Sequence, residues 1–303
     1  MGNMAVNLGI LPDTSPIWGI RGTARYGRNA GDTGTNYYVD KNHGNASDSN
    51  LGTDPEAPFL TVQAAITASN ATVDWLHDSY APNWIFVAPG TYAENLTTAY
   101  YCNIVGTGVL GTDTASEIHP ATGSAMAGTF LGSVLMNLWL EVETAVPVID
   151  LGIANNSQIL GCIIARGNAG LATMGIQTDN ASHLHIIGNR LVSGVATFPI
   201  GMQFLGGVNK YLHASVIRDN HIFASTTGID LPANITAGQT VIQQNVIARP
   251  TTGISDLSGD TYVIDNWISA GTDAINHANL ATHCIANHVL DNAVGAVEAA
   301  GTT

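Results

Sequence analysis

A repeated frame, apolar–x–x–Asn–x–apolar, constrains this chain more than any other feature. It closes on Leu191 around Asn189, then recurs from Ile217 to Ile222 around Asn220 and from Ile242 to Ile247 around Asn245. It returns from Val263 to Ile268 around Asn266 and from Cys284 to Val289 around Asn287. Upstream, the frame is placed on Val134 to Trp139 around Asn137, and on Ile159 to Ile164, where Cys162 stands in for Asn. Successive intervals from Asn137 are 25, 27, 31, 25, 21 and 21 residues. A second element follows each Asn: Gly175-Ile176-Gln177, Gly201-Met202-Gln203, Gly228-Ile229-Asp230, Gly253-Ile254-Ser255 and Ala274-Ile275-Asn276. In the last three its offset from the Asn is constant at eight residues. Variable length at fixed places is how loops behave when they are inserted on set sides of a stacking unit.

The unit reads as strands. Its apolar residues come in short runs of Ile and Val broken by Asn and Gly. No window between Asp150 and Gly295 sustains a 3.6-residue period over three turns. A repeat of 21 to 31 residues holding two or three short strands is one coil of a parallel β-solenoid. Coils stack at about 4.8 Å, the strand spacing. The recurring Asn suits a bend because it tolerates the left-handed conformation, and stacked amides can bond along the axis. Helical solenoids need Ala/Leu-rich helices, and leucine-rich repeats need a Leu-x-x-Leu-x-Leu frame; neither occurs here.

Residues 36–40 read as a strand, and a polar loop follows to Glu56. Val62 to Ser69 reads as a short helix with Val62, Ala65 and Ile66 on one face. Trp84 to Val87 reads as a buried strand, ended by Ala88-Pro89-Gly90-Thr91-Tyr92 with Glu94 beyond. This succession is Val-Asp, a Gly/Ser/Asp loop, Pro-Phe-x-Thr-Val-Gln-x-Ala-Ile, then Val-Ala-Pro-Gly-Thr-Tyr-x-Glu. It resembles the opening of right-handed parallel β-helix proteins of the pectate-lyase-like superfamily, including tailed-phage virion proteins. The resemblance implies an all-β, right-handed, single-stranded parallel β-helix of about nine coils. The helix Val62 to Ser69 is read as a short N-terminal cap, and residues 1–35, outside the stretch that carries the resemblance, as an extended N-terminal arm. It carries no activity, because this fold hosts lyases, hydrolases, adhesins and structural proteins alike. The domain reading is an arm over residues 1–35 and a β-helix domain over 36–303.

Composition narrows the function classes. Charged residues are only 11%, against 45% hydrophobic, so the chain is not a charge-rich disordered polymer. Nine Lys and Arg against 23 Asp and Glu leave a net charge of −14, with no cationic cluster for nucleic acid and repulsion from anionic lipid. No apolar run reaches membrane-spanning length. The three cysteines, Cys102, Cys162 and Cys284, are widely spaced and read as buried thiols. The first residues lack the basic and apolar regions of a secretory signal. The expected locale is therefore a virion surface, reached from the host cytoplasm.

Candidate sites follow from register. Just before the Asn, the row reads Gly188, Asp219, Gln244, Asp265, Ala286. Asp219 and Asp265 lie two coils apart, near the upper limit for an inverting glycosidase pair. The Gly-Ile row adds Asp230 as its one acid among Gln177, Gln203, Ser255 and Asn276. These three are the weak catalytic candidates, and each is also an ordinary turn or surface residue. The row after the Asn reads Arg190, His221, Val246, Trp267, His288, and an exposed Trp there implies contact. His221, Trp267 and His288 are therefore read as an intersubunit stripe. Ile17, Trp18, Arg21, Arg25 and Arg28 are read as the part of the arm that orders on a partner. The histidines show no metal spacing, so neither metal nor cofactor is expected.

The function expected is a non-enzymatic structural virion protein: a capsid decoration protein, head fibre or short spike. It is expected to be homotrimeric and tied to a capsid or tail protein through the arm. A tailspike-like polysaccharide depolymerase and a carbohydrate-binding adhesin that takes a host surface glycan are the alternatives. The C-terminal stretch from Ala293 to Thr303 is small and apolar and shows no capping helix. An uncovered solenoid end is expected to seek a partner.

Overall fold

The computed structural model describes residues 34–73, 82–167, 171–193, 197–207, 209–277 and 282–289. The arm residues Ile17, Trp18, Arg21, Arg25 and Arg28, and the stretch from Ala293 on, lie outside the described residues. The chain is a parallel β-solenoid of about 8 turns, slightly fewer than the sequence predicts, with one described helix. Three parallel sheets, here A, B and C, run along it. Sheet A holds ten strands, from Asn36–Val39 and Asn83–Val87 through to Thr261–Ile264 and His283–Ile285. Sheets B and C become one strand at His221–Leu231, which pairs in both.

Stacked aliphatic side chains make the core. In sheet A, Leu135, Ile159, Ile186, Ile217, Ile242 and Val263 are register partners, each 1% exposed or less. Each such burial contributes about 1.5–3 kcal/mol. Only alternate residues of a strand can point inward. Thus Trp84, predicted to lie in a buried strand, faces out at 37% exposure while Ile85 and Val87 are buried.

The turn from sheet A to sheet B takes two residues. The first is left-handed: Gly188 (φ 67°), Asp219 (57°), Gln244 (55°), Asp265 (50°) and Ala286 (51°). The second is the ladder Asn, which has an ordinary backbone. The bend therefore belongs to the residue before the Asn, not to the Asn as the sequence suggests. The Asn instead fills the interior of the corner. Asn189 Nδ2 donates to Asn220 Oδ1 at 3.0 Å and to the Ile159 carbonyl at 2.9 Å, and the scheme repeats up to Asn287. Cys162 holds the ladder position as predicted, its N–H donating to Asn189 Oδ1 at 2.9 Å. At Asn137 the predicted frame is one residue early. Met136, Leu160 and Ile187 are register partners, so Asn137 (φ 54°) is the bend residue and buried Leu138 stands in the ladder position.

The turn from C back to A repeats this plan with hydroxyls at five of six described turns, which the sequence reading missed. Gly132, Asn156, His183, Ala214, Gln239 and Asp260 are left-handed, and Ser133, Ser157, Leu184, Ser215, Thr240 and Thr261 follow them, facing inward. Ser157 Oγ donates to Phe130 O at 2.8 Å, and Thr240 Oγ1 to Leu212 O at 3.0 Å, satisfying carbonyls that the bend leaves free.

Helix α1, Val62–Ala71, lies against the first strands of sheets A and C, with Val62, Ala65, Ile66 and Ser69 buried. It runs two residues beyond the predicted Ser69. Its N-terminus gathers the opening motif. Thr61 caps it by accepting from Ala64 N at 3.2 Å. The Glu94 carboxylate accepts from Val62 N and Gln63 N, both at 2.8 Å. Asp48 accepts from Leu60 N and Thr61 N at 3.0 and 2.9 Å.

Candidate functional site

The three carboxylates singled out by sequence stand on two different faces. Asp219 and Asp265 stand on the A–B corner with Gln244 between them, each holding a left-handed bend. Arg218 Nε lies 2.9 Å from Asp219 Oδ2, a partly exposed ion pair of small net worth. Asp230 belongs to another face. On sheet C it follows Asp150, Gln177 and Gln203 in one outward row. There Gln203 Nε2 donates to Asp230 Oδ2 at 2.9 Å, and Gln177 Nε2 to Asp150 Oδ1 at 2.9 Å. Amide–carboxylate rungs of this kind link neighbouring turns.

The stripe, by contrast, does assemble. Arg190, His221, Val246, Trp267 and His288 are consecutive register partners on sheet B, pointing outward. Trp267 is 48% exposed, and its ring lies 4.9 Å from that of His288. The row continues down the rod through Ile163 and Trp139 to Glu117 and Thr91.

At that lower end lies a grouping the sequence reading did not find. Glu117, His119 and Glu141 each offer a ligand atom, all within 4.8 Å of one another. His119 Nδ1 is 3.5 Å from Glu117 Oε1, and its Nε2 is 4.0 Å from Glu143 Oε1. Thr91 Oγ1 donates to Glu117 Oε2 at 2.6 Å, and Trp139 Nε1 to Glu141 Oε2 at 2.9 Å, so both carboxylates are held in place. An imidazole with carboxylates is a donor set that can hold a divalent cation. A Glu-x-His that straddles the end of the strand Ser116–Ile118, and a Glu on its register neighbour Trp139–Val142, are its sequence signature. It lies below the Asn ladder, which begins at Asn189.

Sheet A presents a third outer face. One outward row runs from Tyr38 through Met136, Leu160 and Ile187, then Arg218 and Gln243, to Ile264 and Ile285. The other includes Trp84, Val134, Gln158, His185, Val216 and Tyr262. His185 is 4% exposed, and its Nδ1 has no hydrogen-bond partner. Burial pulls its pKa down to about 4, with the nearby His183 and Arg218 acting the same way. The thiols of Cys102 and Cys162 are pushed up to about 12 by burial and stay protonated, so neither is a nucleophile at neutral pH.

The chain matches no family model, no curated protein and no solved structure.

Proposed function

We propose that this chain is a non-enzymatic structural protein exposed on a virion surface, a decoration protein, head fibre or short spike. One observation carries the reading: the polar chemistry of the repeats is turned inward and along the axis. The Asn ladder bonds turn to turn from Asn189 to Asn287, and the acidic candidates Asp219, Asp265 and Asp230 serve bends and rungs. Such a construction makes a stiff rod, which is what a display element needs. In this reading the chain is an oligomer, with a trimer the expected form. The arm, through Ile17, Trp18, Arg21, Arg25 and Arg28, docks on a capsid or tail protein. Deleting residues 2–30 tests it: the truncated rod is expected to fold but to lose its place on particles. Undiminished occupancy of particles by the truncated protein would sink the attachment reading.

A second reading, the polysaccharide hydrolase, is favoured by Glu117 and Glu141. Their ligand atoms approach within 4.8 Å, beside Trp139. A retaining glycosidase sets its two carboxyl groups about 5 Å apart. Release of reducing ends from capsule or lipopolysaccharide, lost in Glu141→Gln, would replace the structural reading with this one. No release is expected.

A further inference from the structure

We propose that Glu117, His119 and Glu141 hold a zinc-class divalent cation that clamps two turns at the lower end of the rod. Charge carries the argument furthest. Elsewhere on the rod, Asp150 meets the Gln177 amide, Asp230 the Gln203 amide, Asp179 the Lys210 ammonium and Asp219 the Arg218 guanidinium. At Glu117 and Glu141, two carboxylates from adjacent turns converge instead, with their ligand atoms and that of His119 all within 4.8 Å. Among the described residues, no Lys or Arg pairs with either carboxylate. Lys41, nearby, donates to the Thr91 carbonyl. Like charges this close repel, and a divalent cation between them turns the repulsion into attraction.

The spacing suits coordination better than direct hydrogen bonding. His119 Nδ1 stands 3.5 Å from Glu117 Oε1, longer than an ordinary N–H···O bond. Two ligands on a tetrahedral zinc, each about 2.0–2.1 Å from the ion, stand about 3.3 Å from one another. Outer partners aim the ligand atoms, as they do at metal sites. Thr91 Oγ1 holds Glu117 Oε2 at 2.6 Å, which leaves Oε1 beside the imidazole. Trp139 Nε1 holds Glu141 Oε2 at 2.9 Å, which leaves Oε1 to the ion. The other ring nitrogen of His119, Nε2, faces Glu143 Oε1 at 4.0 Å, a carboxylate placed to orient the ring. An imidazole nitrogen among carboxylates selects a first-row cation such as zinc over calcium and magnesium, which take oxygen ligands. Three protein ligands leave a position for water, so the ion exchanges with solvent. Glu117 lies in Ser116–Ile118 with His119 directly after it, and Glu141 lies in the register neighbour Trp139–Val142. The ion therefore bridges turns that the Asn ladder, which begins at Asn189, does not reach. The expectation from histidine spacing looked along the chain, whereas these ligands meet across a turn. The site stands whether the rod is a virion subunit or an enzyme.

Calorimetric titration of the EDTA-treated full chain with zinc chloride at about pH 7.5 tests this, with calcium chloride as the comparison. Three variants accompany it: His119→Ala, Glu141→Gln and His43→Ala. His43 faces Glu56 at 3.8 Å and so controls for adventitious binding to a surface His–Glu pair. Wild type and His43→Ala are expected to take one zinc per chain with a Kd of about 10 µM, and calcium at least about tenfold more weakly. Zinc affinity is expected to fall by at least about tenfold in His119→Ala and in Glu141→Gln, with circular dichroism unchanged. Zinc should also slow hydrogen exchange of the wild type at Ser116–Ile118 and Trp139–Val142 and leave the Asn189–Asn287 turns as they were. Should His119→Ala fail to fold, the isosteric Glu141→Gln and the exchange map decide. No zinc binding below about 1 mM overturns the proposal. So does zinc binding that survives in the folded variants of both ligands, or protection that appears away from these two strands.

Discussion

Asn245 uses every hydrogen-bonding position of its side chain inside the protein. Its Oδ1 accepts from Asn220 N and Nδ2 at 3.1 and 3.0 Å; its Nδ2 donates to Ile217 O at 3.0 Å and Asn266 Oδ1 at 2.9 Å. An amide can accept two bonds and donate two, so nothing is left over. Asn245→Val is therefore expected to cost about 3 kcal/mol in urea unfolding, through donors and acceptors left buried and unpaired. Asn287→Val, at the half-buried upper end of the ladder, should cost about 1 kcal/mol. His185 provides a pH effect at the same scale. Its folded pKa of about 4 lies below the unfolded value near 6.5, so between these pH values the unfolded chain binds the proton more tightly. Its stabilising effect is present above about pH 6.5 and is lost progressively as pH falls toward 4, by up to about 3 kcal/mol. Urea midpoints at pH 7.5 and pH 5 should differ less in His185→Leu than in wild type. The ladder asparagines were legible because they recur as one residue type. Their bend neighbours were not: Gly188, Asp219, Gln244, Asp265 and Ala286 share a conformation and no chemistry.

At the scale of elements, α1 and its surroundings form a small assembly that closes on Glu94. Two backbone donors that every helix start leaves free, at Val62 and Gln63, are met by a carboxylate more than thirty residues away. Burial raises the Glu94 pKa, and those two N–H donors pull it back toward its ordinary range. Glu94→Ala should destabilise the protein by about 1–2 kcal/mol in thermal or urea unfolding, combining the lost caps with the lost charge at the helix start. The motif residues were visible in sequence, but their meeting was not, because it depends on the strand Asn83–Val87 returning beside Asn36–Val39. The helix also runs past Ser69 for a tertiary reason. Asn83 Nδ2 donates to Ser69 Oγ at 3.0 Å, and Asn70 bridges Thr98 O and Tyr100 N. The glycines of the second element likewise answer to a neighbour. A Cβ on Gly228 would come within 2.4 Å of Ile247 Cγ2 and 2.5 Å of Gly253 O in the next turn.

At the scale of the molecule, a solenoid is a stack in which each turn touches mainly its neighbours, so stability varies along the rod. Ile159 and Ile186 are fully buried mid-stack, whereas Cys284, their counterpart in the last described strand of sheet A, is only partly buried. Hydrogen exchange should therefore be slowest around Pro147–Ile187 and fastest at His283–Val289; uniform protection would contradict this. The sequence by itself determined the class of fold, because a stacked architecture writes its period, its inward Ile/Val row and its ladder amides into every turn. Only the tertiary structure decided what faces outward together. Glu117, His119 and Glu141 meet because two strands below the Asn189–Asn287 ladder pair in one register. Asp219 and Asp230 separate because the strand between them turns a corner onto another sheet. That the ten strands of sheet A carry no Asp or Glu, while Asp219, Asp260 and Asp265 sit at its corners, emerges only when strands drawn from across the chain are laid side by side. Outward residues answer to neighbours one turn away, at intervals that vary with each loop, so no local pattern records them.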